Sequence, residues 1–288
     1  MSENLILITN DDGIHSPGLR AAIEAVRDLG EILVVAPKHQ QSGAGRSLPH
    51  SSDGRIYEER IEVGGEELVV FSIEGSPAQA VQHGVLELAP RRGKPPLVPT
   101  LAISGINYGE NLGTGITVSG TIGAALEMAD FGIPCLAVSL ETAQKYHYSH
   151  SEEIDFTAAA FFTRYFAQIL LEVPLPFDVD ILKVEVPKDA TPETPWRLTR
   201  VSRQRYHHPI AGHRRSLADS CPLGYEVRVE DFATLEPDSD IYAVVVDRVV
   251  SVSPLSLDLT SRVDIARLAD LLAKRADAFR QTPQMGQN

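Results

Sequence analysis

Leu5–Thr9 reads LILIT, residues 10–13 read NDDG, and Glu31–Ala36 reads EILVVA. The two apolar runs, rich in β-branched residues, have the pattern of strands buried on both faces of a parallel sheet. Between them, Ser16-Pro17-Gly18 opens a segment in which Leu19, Ala22, Ile23, Val26 and Leu29 recur at helical spacing. Ser16 suits the N-cap, Pro17 the first helical position and Gly30 the C-terminal cap. Strand, helix and strand within the first 36 residues make a right-handed βαβ unit.

The alternation continues outward. A polar loop runs from Pro37 to Pro49, and strands are expected at 57–63 and 67–73 around Gly64-Gly65. Ser76-Pro77 opens a helix to about Leu88, and a charged, Pro-rich connection (91–96) leads to a strand at 100–104. A Gly/Asn-rich loop, a helix over 121–130 and a buried strand at 135–140 follow. The fold class is therefore α/β, with a doubly wound, mostly parallel sheet. Later, a helix is expected over 152–171, strands at 181–186, 196–201, 241–246 and 249–252, and an amphipathic helix over 264–279 before a polar tail. Residues 203–239 have weak periodicity and read as an excursion from the core, a long hairpin or an oligomerisation arm. The expected division is a core over 1–200, an arm over 201–250 that returns to the core, and a closing helix and tail over 251–288.

Composition narrows the function. The 288 residues carry 39 acidic and 26 basic side chains, a net charge of −13. So acidic a chain does not suit a nucleic-acid duplex, where each phosphate contact wants Lys or Arg. An anionic small substrate would need local positive charge, most simply a metal ion. Cys135 and Cys221 are far apart and form no Cys-x-x-Cys, which reads as two structural thiols in a reducing compartment. Residues 1–10 have no basic leader, and Arg164 and Gln168 interrupt the apolar stretch 156–171. A cytoplasmic protein without a membrane segment is expected.

Three polar loops lie at the carboxyl ends of expected strands, where open parallel sheets bind ligands. In the first, Asp11 and Asp12 are adjacent carboxylates whose repulsion a hard cation would relieve; a solvated turn is the plainer alternative. In the second, Ser42 offers a hydroxyl, Gly43 and Gly45 permit close approach, and Lys38, His39 and Arg46 offer positive charge, unless the loop is simply surface. In the third, Asn107 offers an amide oxygen, and Ser119-Gly120-Thr121 open a helix whose amides suit an anion, unless Ser119 merely caps it. A metal facing an anion cradle describes a phosphate-ester site. No P-loop, dinucleotide fingerprint, nucleophile elbow or His-Glu-x-x-His is present. His207, His208 and His213 have no zinc spacing and read as surface or interface histidines.

Taken together, ILITNDDGIHSPGL (6–19), VVAPKHQQSGAGRS (34–47), SGINYGENLG (104–113), SGTIGAALE (119–127) and IPCLAVSL (133–140) resemble the SurE family of survival-protein-E nucleotidases. LKVEVP (182–187) and SDIYAVVVDRVVSVSPL (239–255) resemble later family segments, so the likeness spans about 4–256 in the family's order. Gln79 stands where the family usually has Asp, Val118 where an aromatic often precedes Ser-Gly-Thr, and a usual Gly is missing near Asp247-Arg248. The resemblance implies a Rossmann-like fold with a swapped C-terminal element, assembled as a homodimer or homotetramer. It implies a divalent-metal-dependent phosphatase (Mg²⁺ or Mn²⁺) acting on nucleoside 5′- and 3′-monophosphates, in some members also on polyphosphate. The implied metal ligands are Asp11, Asp12, Ser42 and Asn107. On that expectation one ion activates a water for attack on phosphorus, with Asp11, Asp12 and Asn107 catalytic. Asn10, Ser104, Gly105, Ser119, Gly120 and Thr121 are the expected phosphate contacts. A binding module that holds a metal–nucleotide complex without turnover would use the same loops.

Overall fold

The computed structural model describes residues 4–93 and 97–281. Part of the connection over 91–96 and the tail beyond 281 lie outside the described residues. Two compact units are found, residues 1–257 and 258–288.

In the first unit, β1 (Leu5–Thr9), α1 (Pro17–Val26) and β2 (Glu31–Pro37) form the opening βαβ unit. Then come β3 (Ile56–Val63), β4 (Glu66–Ile73), α2 (Pro77–His83), β5 (Leu101–Tyr108), α3 (Gly120–Asp130), β6 (Cys135–Leu140), α4 (Thr157–Glu172) and β7 (Ile181–Val186). Short β8 (Trp196–Leu198), the β9 (His207–Ile210) and β10 (Gly224–Val227) pair, and β11 (Val250–Leu255) complete it. The main sheet has the order β3-β4-β2-β1-β5-β6-β7-β11-β8. β4, β2, β1, β5, β6 and β7 run parallel; β3 and β11 are antiparallel to β4 and β7. The fold is the expected doubly wound α/β type, and the excursion is an antiparallel β9–β10 hairpin. β1, β5, β6 and β7 are buried throughout, as strands covered on both faces must be. One apolar layer packs under α1 and α4 and the other under α2 and α3.

Three expectations are corrected. First, α1 ends at Val26 and not beside Gly30. Gly30 instead lets β2 begin against β1: a Cβ there would stand 2.7 Å from the Asn4 carbonyl oxygen. Second, the apolar run 241–246 is not a strand but a helical turn, Tyr242–Val246. Polar capping overrides its β-branched composition, since Asp240 Oδ1 accepts from the Ile241 amide (2.8 Å) and Ser239 Oγ from the Tyr242 amide (3.2 Å). Third, the strand expected over 196–201 stops at Leu198, and Thr199 turns its hydroxyl to Ser251 and Ser253 of β11 at 2.7 and 2.8 Å.

Gln79, the departure from the family pattern, closes a capping box at the start of α2. Its Oε1 accepts from the Ser76 amide (3.0 Å), and its amide is bonded to the Ser76 hydroxyl (3.2 Å). In the second unit, α5 (Ile265–Gln281) places Ile265, Leu268, Leu271 and Leu272 at helical spacing. No helix among the described residues is long and apolar enough to cross a membrane.

Candidate active site

At the carboxyl ends of β1 and β5 the chain encloses a cavity of about 200 Å³ lined by Asp11, Ser42, Asn107 and Ser119, among others. The three polar loops therefore meet there. Helix α3 brings two of them together through glycines in its first turn. A Cβ on Gly120 would lie 2.6 Å from the Asp11 Cβ, and one on Gly123 2.1 Å from the Gly45 carbonyl oxygen. In β5 the ladder with β6 shifts between Ser104 and Asn107, the kind of irregularity that re-aims a side chain at a sheet end.

The two acids are held differently. Thr121 donates its hydroxyl to Asp11 Oδ1 (2.6 Å) and its backbone amide to the same carboxylate, so the positive end of α3 faces Asp11. Asp12 Oδ2 accepts from the Tyr108 amide (3.1 Å), and Oδ1 from the Gln40 side-chain amide (2.9 Å). Burial pushes Asp11 up to about 6 despite Thr121. Burial, and then the neighbouring charge of Asp11, raise Asp12 well above the carboxylate range. Such a pair is ionised cheaply only beside a cation. Asn107 donates its side-chain amide to the Gly109 carbonyl (2.7 Å), which leaves its oxygen as the other end of a fixed plane. Among the described residues no three His, Cys, Asp or Glu side chains group around a metal position. The set on offer is two carboxylates, the Ser42 hydroxyl and the Asn107 amide oxygen. Those all-oxygen donors fit a hard divalent ion such as Mg²⁺ or Mn²⁺.

Gln40 is a residue that the sequence reading overlooked. Its Nε2 stands 2.9 Å from Asp12 Oδ1, 3.0 Å from Ser42 Oγ and 2.7 Å from the His147 carbonyl oxygen. Nothing in the local sequence distinguishes it from its neighbour Gln41.

The other expected contacts have partners of their own in the fold. Asn10 closes the turn, exchanging hydrogen bonds with Gly13 at 3.1 and 3.2 Å. Ser104 is wholly buried, with a hydroxyl that makes no hydrogen bond among the described residues, and Gly105 packs on β6, where a Cβ would strike the Val138 carbonyl at 2.3 Å. Ser119 lines the cavity, but its hydroxyl caps α3 by accepting from the Ile122 amide (3.2 Å). The cations of the second loop are committed: Lys38 to Glu74 (3.0 Å), and Arg46 to Glu127 and Asp130 (both 2.6 Å). No Lys or Arg is among the described residues lining the cavity.

His207 is half-buried rather than fully exposed. It lines the cavity with His147, Tyr148 and Tyr225. His208 is buried, beside Glu230 (3.1 Å). His147 Nε2 faces the Thr142 carbonyl (3.3 Å), so that nitrogen carries the proton and Nδ1 accepts from the Tyr225 hydroxyl (2.8 Å). Burial, and then His147 and His208, push His207 down to about 4; burial also lowers His147. Both rings are neutral near pH 7.

A buried polar network braces the third loop. Asp240 Oδ2 accepts from Lys183 Nζ (2.9 Å) and the Gly113 amide (3.1 Å), while Lys183 also donates to the Asn111 carbonyl (2.8 Å). Among the described residues Glu185 accepts from the Asn111 amide (2.8 Å), with Lys183 3.6 Å away, and burial pushes it up to about 8. Asp240 has the richer set of donors and stands nearer to Lys183 than Glu185 does.

Comparison with known proteins agrees with this architecture. The family model described as "Survival protein SurE" matches residues 6–208. The protein named 5′-nucleotidase SurE of Thermococcus gammatolerans is 42% identical over 269 residues, covering 93% of this chain and 95% of the relative. Its namesake in Methanothrix thermoacetophila is 37% identical over 93% of this chain and 98% of its own. The crystal structure of the SurE protein from Aquifex aeolicus superposes with a TM-score of 0.68 at 30% identity, over 94% of this chain and 99% of that one. On these matches, together with the fold that carries them, the chain belongs to the SurE family.

Proposed function

We propose that this protein is a divalent-metal-dependent phosphomonoesterase that hydrolyses nucleoside 5′- and 3′-monophosphates, with the terminal phosphoryl group of polyphosphate as a further substrate. The observation that carries the reading is the charge of the cavity. Asp11, whose pKa burial raises, opens on a space lined by no Lys or Arg among the described residues, with Asp12 next to it in the chain, so a phosphate dianion needs a cation to enter it. The names of the relatives, 5′-nucleotidase SurE, favour nucleotides.

Asp11, Asp12, Ser42 and Asn107 would hold the metal. When bound, a divalent ion supplies Lewis-acid charge to the phosphoryl oxygens and to water. The chain's own part is orientation. Thr121 and the α3 N-terminus fix Asp11, Tyr108 and Gln40 fix Asp12, and Gly109 fixes the plane of Asn107. These groups hold the ligand oxygens in one arrangement and reduce reorganisation during transfer.

The free cysteines fit a cytoplasmic enzyme. The exposed Leu217 and Leu223 beside the hairpin fit a homodimer or homotetramer. Phosphate release from AMP with Mn²⁺, with and without EDTA, tests the function. The reading expects chelator-sensitive release. Nucleotide binding without release across a substrate panel would instead mean a binding module.

A further inference from the structure

The cavity has a second, aromatic end. His147 and Tyr148 follow β6, His207 belongs to β9 and Tyr225 to β10, and all four line the same space as Asp11, Ser42 and Asn107. Tyr225 stacks on His147 with centroids 6.1 Å apart and planes 15° from parallel. His207 lies 5.8 Å from Tyr225, and Tyr148 meets Tyr225 nearly edge-on at 6.3 Å. Tyr148 is 65% exposed, so much of its ring is open to solvent. Neutral rings with no Lys or Arg among them offer little to a phosphate. They offer π-faces, which stack with planar heteroaromatic rings. The distance between the two ends is fixed, because the Gln40 side chain touches Asp12, Ser42 and the His147 backbone at once.

We infer that this aromatic wall is a nucleobase subsite, on which the base of a nucleoside monophosphate stacks while its phosphate lies at Asp11, Ser42 and Asn107. The inference rests on the nucleotidase reading and deepens it. It gives the β9–β10 hairpin a part in substrate binding, since two of the four rings come from it. Stacking tolerates any base, because every base has a π-face. The wall therefore selects for the presence of a base more than for its identity.

The test compares AMP with ribose 5-phosphate, which keeps the sugar and the phosphoester but has no base. kcat and KM are measured with Mn²⁺ for the native protein and for Tyr148→Ala, Tyr225→Ala and Tyr225→Phe. The native protein is expected to prefer AMP in kcat/KM by on the order of tenfold, the scale of one base–aromatic stack. Each alanine variant should erase most of that preference, chiefly through KM, and Tyr225→Phe should keep it because the ring remains. Tyr148 projects into solvent, so its variant serves even where Tyr225→Ala fails to fold. Equal native use of both substrates, or a preference that survives Tyr148→Ala and Tyr225→Ala, overturns the subsite and leaves the phosphatase reading standing. Hydrolysis of neither substrate by the native protein overturns both.

Discussion

Replacing Gln40 with alanine isolates what one side chain does for the site. Its amide reaches Asp12, Ser42 and the His147 carbonyl at 2.9, 3.0 and 2.7 Å. Only the bond to Asp12 is charge-assisted, a class worth about 1.5–3 kcal/mol. Gln40 is half-buried, so water replaces part of that, leaving about 1–2 kcal/mol for the ordering of the acid pair. At 1.4 kcal/mol per factor of ten, Gln40→Ala should raise the Mn²⁺ concentration for half-activation by roughly five- to thirtyfold. The Gln40 bond also lowers the Asp12 pKa, so its loss raises that value further. The acid limb of the pH–rate profile should then move to higher pH. The assay is phosphate release from AMP over a Mn²⁺ titration at several pH values, with thermal melts as a check on folding. A variant whose half-activation stays within twofold of native, with an unmoved acid limb, would refute the argument that Gln40 organises the ligands.

Asp11→Asn and Asp12→Asn should each lower the rate by orders of magnitude, while urea unfolding in EDTA shows stability equal to or above native, because a buried like-charge pair has been relieved. Gly123→Ala, which places a Cβ 2.1 Å from the Gly45 carbonyl oxygen, should cost about 1–3 kcal/mol in denaturant unfolding and weaken activity by displacing the Ser42 loop. Glu185 has a folded pKa of about 8, above its unfolded value, so the folded state holds the extra proton and stability falls as pH rises through that range. The fall between pH 7 and 8.5 should flatten in Glu185→Gln, and parallel slopes for the two proteins in denaturant titrations would contradict the assignment.

The sequence exposes the parts of this molecule that are local. LILIT and EILVVA are buried strands because their composition leaves them no other stable place, and the adjacent Asp11 and Asp12 advertise a need for positive charge before any contact is known. What stays hidden depends on contacts distant in sequence. The reading of Lys38 and Arg46 as site cations fails because Glu74, Glu127 and Asp130, 36 to 84 residues away, claim them. The run at 241–246 has strand composition, yet Ser239 and Asp240 cap it into a helical turn. Tyr225 and His207 lie in a stretch of weak periodicity, and only the hairpin pairing brings them beside His147. Gln40 could be singled out from Gln41 only by three acceptors that the chain gathers from separate loops.

Manganese binding measured calorimetrically on the metal-stripped protein tests the central claim most directly. One Mn²⁺ per chain is expected, with affinity lowered at least tenfold in Asp12→Asn, Ser42→Ala and Asn107→Ala alike. Unchanged affinity in all three variants, or no binding to the native chain, would contradict the convergence of these three loops on one ion.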